Sequence, residues 1–432
     1  MLTRPQFARF ACLAALSFVP VAQGADPVAL RVDASQRGLE VNRQVTAGFN
    51  FGNWMNMVEF GKAMRENVPP GTLRFPGGNV GDDQDMIEPV IDLFATNLGL
   101  LQTPAPVIIQ TRVFQGRTDA IPKNRPEDAA YAAKLAIERK LNVAYWQIGN
   151  EPDLFAVTRG DKSWTAERYC EVFRAQATAI KAVDPNAKFA GPGVSGAVPS
   201  AAEFLDGFVK GCGDIVDLLT WHIYPTNGTG TAEAALANIS EPSRWFAEHR
   251  KTWADPVKNP LGHQRKIKFG MTEYGLSWRT DNAIFLADMP AAMFATETAL
   301  RMAREGLDAA YYFAYQGVGN HGLLDEMGMP RPTFYGFRMI GQLKGHFVEA
   351  SSDDKDVWVS AVVDGNKLSL IVMNTSTAAR RLPLKLDGWK FAKGEWFDQT
   401  IVDNEARLRK LKKGATATLP GRTMARLEFV AK

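Results

Sequence analysis

Two glutamates could do chemistry in this chain. Residues 145–155 read YWQIGNEPDLF and residues 269–275 read FGMTEYG, so Glu151 and Glu273 each follow a run that looks buried. An ionised carboxylate at the end of such a run costs free energy unless it is solvated, paired or neutral. Each is therefore either an ordinary strand exit or a group placed for a reaction. Two carboxyl groups facing each other over a sugar ring can cleave a glycosidic bond: one protonates the leaving oxygen, and the other attacks in its ionised form.

That chemistry needs a scaffold that brings the two residues together. Between residues 45 and 317, short apolar or β-branched runs alternate with amphipathic helical stretches. The runs at 46–52, 72–78, 105–114, 142–152, 187–196, 216–225, 266–278 and 307–317 predict eight strands. Residues 126–140, 165–183 and 290–306 predict helices, with Pro126 and Pro290 where a first helical turn tolerates proline. Eight strand–helix units of this total length predict a (β/α)8 TIM barrel, with a doubly wound open sheet as the competitor. The GxGxxG run at 317–322 follows the last strand rather than the first and predicts a loop, without a dinucleotide site.

Beyond residue 345 the pattern becomes alternating runs broken by Gly, Asn and Asp, at 357–363, 367–375, 380–388 and 415–430. These predict a C-terminal antiparallel β-sandwich, which the similar run at 29–41 can join. The expected divisions are a signal peptide at 1–24, N-terminal strand residues at 25–44, a catalytic barrel at 45–343 and the sandwich at 344–432. The basic run 409–414 reads as a solvated strand edge.

Arg4 and Arg9 precede the apolar run 10–22, with small residues at Ala22 and Gly24, which is the layout of a secretory signal cut before Ala25. Export to the periplasm or the exterior is the expectation, with no membrane span in the mature chain. Losing those two arginines from a formal charge of +3 leaves a nearly neutral protein, with no electrostatic case for nucleic acid. Cys12 would leave with the signal, and Cys170 and Cys212 can pair or stay as two thiols. The five histidines and three cysteines form no HExxH or CxxC, so neither metal nor cofactor is expected.

In a barrel, groups at the carboxyl ends of strands converge on one cleft. Asn150-Glu151-Pro152 ends the fourth predicted strand, and Thr272-Glu273-Tyr274-Gly275 ends the seventh. This pairing resembles clan A of the glycoside hydrolases, the retaining (β/α)8-barrel enzymes. The resemblance implies that Glu151 is the acid/base and Glu273 the nucleophile of a double displacement. LRFPGGN at 73–79 is similar to a motif of the α-L-arabinofuranosidase and heparanase/β-glucuronidase branches. It implies Arg74 beside the nucleophile and Asn79 against sugar. GNEPDLF is similar to the bacterial and fungal β-glucuronidases. WHIYP at 221–225 resembles the segment that supplies a tyrosine to the nucleophile, hence Tyr224, with His222 beside it. The run 322–340 resembles the passage from barrel to sandwich. After RFPGGN, VGDDQDM stands where the arabinofuranosidases usually have an aromatic-rich segment, so this loop gives no basis for transferring their sugar specificity.

Other residues are read from their own chemistry. Asn150 can bind a sugar hydroxyl at the 2-position or simply form a turn. His222 can serve the site or be a satisfied core residue. Trp278, five residues past Glu273, is the favoured sugar-stacking side chain, while Trp54, Trp146 and Trp164 are as readily core. Glu59, Asp82, Asp83 and Asp85 read as a solvated cleft rim. The expected protein is a monomeric hydrolase of an oligosaccharide or polysaccharide. The alternatives are a catalytically inactive carbohydrate-binding protein on this scaffold and a transglycosylase.

Overall fold

The structure, a computed structural model, describes residues 28–55, 57–114, 125–196, 198–279, 284–317, 319–403, 408–412 and 414–432. The expected signal peptide, with Cys12, lies outside them, as does the side chain of Glu59. Strand β1 (Leu30–Asp33) precedes a closed barrel. Its eight parallel strands are β2 (Gly48–Asn50), β3 (Thr72–Phe75), β4 (Val107–Thr111), β5 (Val143–Ile148), β6 (Phe189–Val194), β7 (Leu218–Ile223), β8 (Lys268–Tyr274) and β9 (Ala309–Tyr312). Closure comes from β2, which pairs with β3 on one side and, at Phe49 opposite Tyr312, with β9 on the other. All eight lie within the runs read as strands. Every residue of β6 and β7 is buried, because parallel strands in a barrel are covered on both faces.

The period of two along a strand sorts the barrel's interior by polarity. Ile108, Tyr145, Ala190, Leu218, Ala309 and Tyr311 form a small apolar cluster of their own inside the barrel. Their strand neighbours, such as Ile109, Trp146, Phe189 and Leu219, join the large cluster shared with the surrounding helices. Two residues further along the inward face stand Gln110, Gln147 and Thr220, level with Asn50 and Arg74, all buried. The barrel is thus apolar below and polar at its carboxyl end, where the strands deliver the site.

The helices follow amphipathic spacing. Ala166–Val183 is capped by Thr165, which accepts from the Arg168 N–H, and buries Tyr169, Cys170, Phe173, Ala177 and Ile180 along one stripe. Cys170 forms a disulfide with Cys212 at the end of helix Pro199–Cys212, Cα atoms 5.9 Å apart.

The C-terminal strands are β10 (His346–Ser352), β11 (Val357–Asp364), β12 (Lys367–Asn374), β13 (Arg380–Pro383), β14 (Lys385–Leu386), β15 (Trp389–Phe397), β16 (Arg409–Lys410), β17 (Thr416–Leu419) and β18 (Thr423–Ala431). They make an eight-stranded antiparallel sheet with β1 paired to β10, and β13 and β17 form a two-stranded second layer. Leu370, Leu427, Leu382 and Leu419 share the core between the layers. The alternate residues Ile371, Met373 and Met424 belong to the barrel's cluster, so the sheet is docked on the barrel by its other face. The run 415–430 is two strands rather than one, because Pro420 and Gly421 break it. Strands β10 and β15 were not expected. Among the described residues no helix is long and apolar enough to cross a membrane.

Candidate active site

Five strand ends build the site. Gly77 and Gly78, just past β3, adopt φ of 73° and 61°; a Cβ on Gly77 would sit 2.9 Å from Asn50 Oδ1. That turn lets the chain pass close to the site while Arg74, fully buried, points into it. The guanidinium donates four hydrogen bonds: Nε to Gln147 Oε1 at 2.8 Å, Nη1 to Asn50 Oδ1 at 2.7 Å and to Glu273 Oε1 at 2.8 Å, and Nη2 to Asn150 Oδ1 at 2.7 Å. A planar fork fixed by four acceptors leaves the Glu273 carboxylate little freedom.

The other oxygen, Glu273 Oε2, accepts from Tyr224 Oη at 2.9 Å. Burial pushes the Glu273 carboxyl up, but His222, Arg74 and the hydrogen bonds from Arg74 and Tyr224 outweigh it and hold the group below the ordinary glutamate range. Burial and the adjacent carboxylate raise the Tyr224 phenol well above its usual range, so it remains a donor. Its ring lies parallel to His321, centroids 6.0 Å apart.

Glu151 is held differently. It follows β5 in a left-handed conformation, φ 45° and ψ 48°, uncommon for a residue with a side chain. Its side chain is 15% exposed against 6% for Glu273, and its Oε1 lies 2.8 Å from His222 Nδ1. One proton on that axis, carried by either partner, satisfies both atoms. His222 is fully buried between the two carboxyl groups, 3.7 Å from Glu273 Oε2. Oxygens of Glu151 and Glu273 and the His222 nitrogen all lie within 4.8 Å of one another. Three such atoms could hold a metal ion, yet Arg74 brings a fixed positive charge onto Glu273, which opposes a second cation there.

An open cleft runs over this group, lined by Gly78, Asn79, Ser195, Tyr224, Trp278 and Phe313 among others. Buried donors around one ionised carboxylate, a second carboxyl against an imidazole, and an aromatic-rimmed groove suit acid-assisted displacement at a sugar carbon.

Residues 138–378, over half of the chain, match Glycosyl hydrolases family 39. The chain belongs to that family. Family 39 lies in clan A, the clan that the strand-end motifs resemble. The chain is 24% identical to a β-xylosidase of Caldicellulosiruptor saccharolyticus over 53% of its own length and 47% of the xylosidase's. It is 26% identical to a heparanase of Bos taurus over 48% and 37% of the two chains. It therefore spans less than half the length of these relatives. Two solved structures share the fold. An α-L-arabinofuranosidase of Thermotoga maritima superposes with a TM-score of 0.70 at 15% identity, over 93% of this chain and 99% of that one. A family 44 xyloglucanase of Paenibacillus polymyxa gives 0.67 at 14%, over 94% and 100%.

This family 39 site brings together most of the residues singled out in the sequence. Glu151, Glu273, Arg74, Tyr224 and His222 meet directly, and Asn150 bridges Arg74 and Asn79, its Nδ2 3.3 Å from Asn79 Oδ1. Asn150 is fully buried, Asn79 is exposed at the cleft, and Trp278 is 59% exposed on its wall. Trp146 and Trp164 are buried in the core, and Trp54 is half-buried with its Nε1 on Gln316 O. One reading is corrected. Asp82 is not a solvated rim residue: it is buried, accepts from the Asn150 N–H at 3.2 Å, and burial raises its carboxyl well above the ordinary aspartate range. Sequence reasoning missed Asn50, Gln147, Asp153 and His321. For the first two a signal existed, since a lone amide inside an apolar strand must find a buried partner.

Proposed function

We propose that this chain is an exported retaining glycoside hydrolase that cleaves an oligosaccharide or polysaccharide by double displacement. The Glu273 carboxylate attacks the anomeric carbon while the glycosidic C–O bond breaks. The leaving oxygen takes its electron pair and the Glu151 proton, and a covalent glycosyl-enzyme remains. A water then gives a proton to Glu151 and attacks the same carbon, releasing Glu273 and restoring the starting state. Two inversions give net retention.

The observation that carries this reading is the contrast between the facing carboxyl groups. Glu273 is held below the ordinary glutamate range by His222, Arg74 and Tyr224, whereas Glu151 is more accessible and has His222 Nδ1 at 2.8 Å from its Oε1. Their approach, within 4.8 Å between oxygens, agrees with the spacing of about 5–5.5 Å between carboxyl groups in retaining enzymes. A site for an inverting reaction would leave room for water between them. Export fits the Cys170–Cys212 disulfide, a bond that persists in oxidising compartments.

The test is a panel of aryl β-xyloside, β-glucoside, α-L-arabinofuranoside and β-glucuronide with a set of polysaccharides, followed by two variants on whichever substrate responds. Glu273→Gln is expected to abolish turnover. Glu151→Gln is expected to keep kcat/KM on activated aryl glycosides and lose it on sugar leaving groups. Near-normal hydrolysis by Glu273→Gln would rule the scheme out. A wild-type protein that binds the panel without cleaving it would favour the inactive carbohydrate-binding alternative, and products longer than the substrate would reveal transglycosylation.

A further inference from the structure

Two residues beyond Glu151 stands a carboxylate that the reaction scheme does not use. Asp153 lies in the short turn Pro152–Leu154 and accepts from the Ser195 N–H at 3.0 Å and from Ser195 Oγ at 2.6 Å. Ser195 immediately follows β6. On the other side of the same turn, the Glu151 N–H donates to Gly193 O at 3.0 Å. The turn is therefore stapled to the end of β6 both at Glu151 and just beyond it. A left-handed glutamate costs roughly 1–2 kcal/mol and persists only where its surroundings over-determine it. The two staples supply that constraint.

We infer that Asp153, acting through Ser195, is a positioning residue for Glu151: it holds the left-handed turn that aims this carboxyl and sets the charge against which it gives up its proton. The inference rests on the acid/base role proposed for Glu151. Asp153 faces Ser195, with Glu151 and His222 as the charged groups that act on it. Glu151 in turn faces His222 and Glu273, feels Asp82 and Tyr224, and borders a recess with Asp83 and Arg159. Burial, reinforced by Glu151 and opposed by the Ser195 hydrogen bonds, pushes the Asp153 carboxyl up to about 6. In neutral solution Asp153 is thus ionised, and a second negative charge beside it is disfavoured. Replacing Asp153 by a neutral side chain removes that charge from beside the residue proposed as acid/base.

The experiment compares Asp153→Asn and Ser195→Ala with wild type on one sugar carrying two leaving groups, a dinitrophenyl group and an unactivated sugar. Because kcat/KM reports the first displacement, the activated substrate bypasses the acid. Asp153→Asn should lose about tenfold in kcat/KM on the sugar leaving group and less than about twofold on the activated one. Its alkaline limb should also move to lower pH, since the neighbouring charge is gone. Ser195→Ala removes the hydroxyl half of the staple and keeps its backbone half, so it should show a smaller leaving-group split. Equal losses on both substrates, or an unmoved limb in Asp153→Asn, would overturn the inference. If Asp153→Asn does not fold, the Ser195→Ala split decides alone. A wild-type protein that cleaves nothing defeats the hydrolase reading, whereas an active one whose variants show no split defeats only this inference.

Discussion

The two carboxyl groups of the cleft sit in opposite surroundings. Glu273 leaves a strand, its oxygens gripped by Arg74 and Tyr224, in a nest of buried amides that Asn50, Gln147 and Asn150 complete around the guanidinium. Glu151 leaves a turn with an uncommon backbone, has one side-chain partner in His222, and has further carboxyl groups nearby in Asp82 and Asp153. The first environment favours negative charge and immobility. The second sets other carboxyl groups close by and leaves the side chain partly accessible. One fold thus gives two chemically identical groups different surroundings, and the roles proposed for them, nucleophile and proton donor, follow that difference.

Removing the centre of the first environment should have the largest effect. Arg74→Ala leaves Glu273 and three amide oxygens without their donors, and losing one partner of a buried ion pair costs about 3–5 kcal/mol. Chemical denaturation should show that loss. The kcat should fall about 10²–10³-fold, as when a pre-organised donor is removed from an active site. The acid limb of kcat/KM should move to higher pH, because Glu273 no longer has the cation that holds it ionised. Tyr224→Phe removes a single hydrogen bond to the same carboxylate, worth about 1.5–3 kcal/mol, so kcat should drop about ten- to a hundredfold, with a smaller loss of stability than in Arg74→Ala. A tyrosine variant more damaged than the arginine variant would show that the guanidinium is not what organises Glu273.

The same contrast separates what the amino-acid sequence makes legible from what only the folded chain reveals. Barrel strands are legible because parallel strands covered on both faces appear as apolar runs, and Glu151 and Glu273 are legible because they end such runs. Arg74 and Tyr224 come from motifs at neighbouring strand ends. The environment of Glu151 is harder to read, because loops carry no periodicity to say which of their side chains are covered. Asp82 and Asp153 look like solvated turn residues until the ends of β5 and β6 close over them. His321, in the glycine-rich loop at 317–322, is placed against Tyr224 by contacts that no local pattern encodes. In the C-terminal sheet, β15 escapes notice for a related reason. Its register slips between Phe391 and Lys393, which breaks the alternation that would have revealed it.

The smallest expected effect tests the difference between the environments through stability alone. Glu273 is held below the ordinary range, so its native state binds fewer protons than the unfolded chain; its contribution is present above 4.5 and lost as pH falls through its lower native value. Asp153 has the opposite sign. Its carboxyl is raised from 3.8 to about 6, so the native state holds a proton that the unfolded chain has released. Its contribution is complete below 3.8 and is lost as pH rises through about 6. Urea unfolding of wild type and Asp153→Asn across this range, compared as a difference at each pH, cancels the titrating groups that Asp153 does not act on. The wild type should lose stability relative to the variant between 3.8 and about 6, and the difference should be flat above that window. A difference that grows in the wild type's favour as pH rises would mean that Asp153 is stabilised as an anion. The turn that carries Glu151 would then stabilise a carboxylate, as the surroundings of Glu273 do, and the contrast between the two environments would not extend to Asp153.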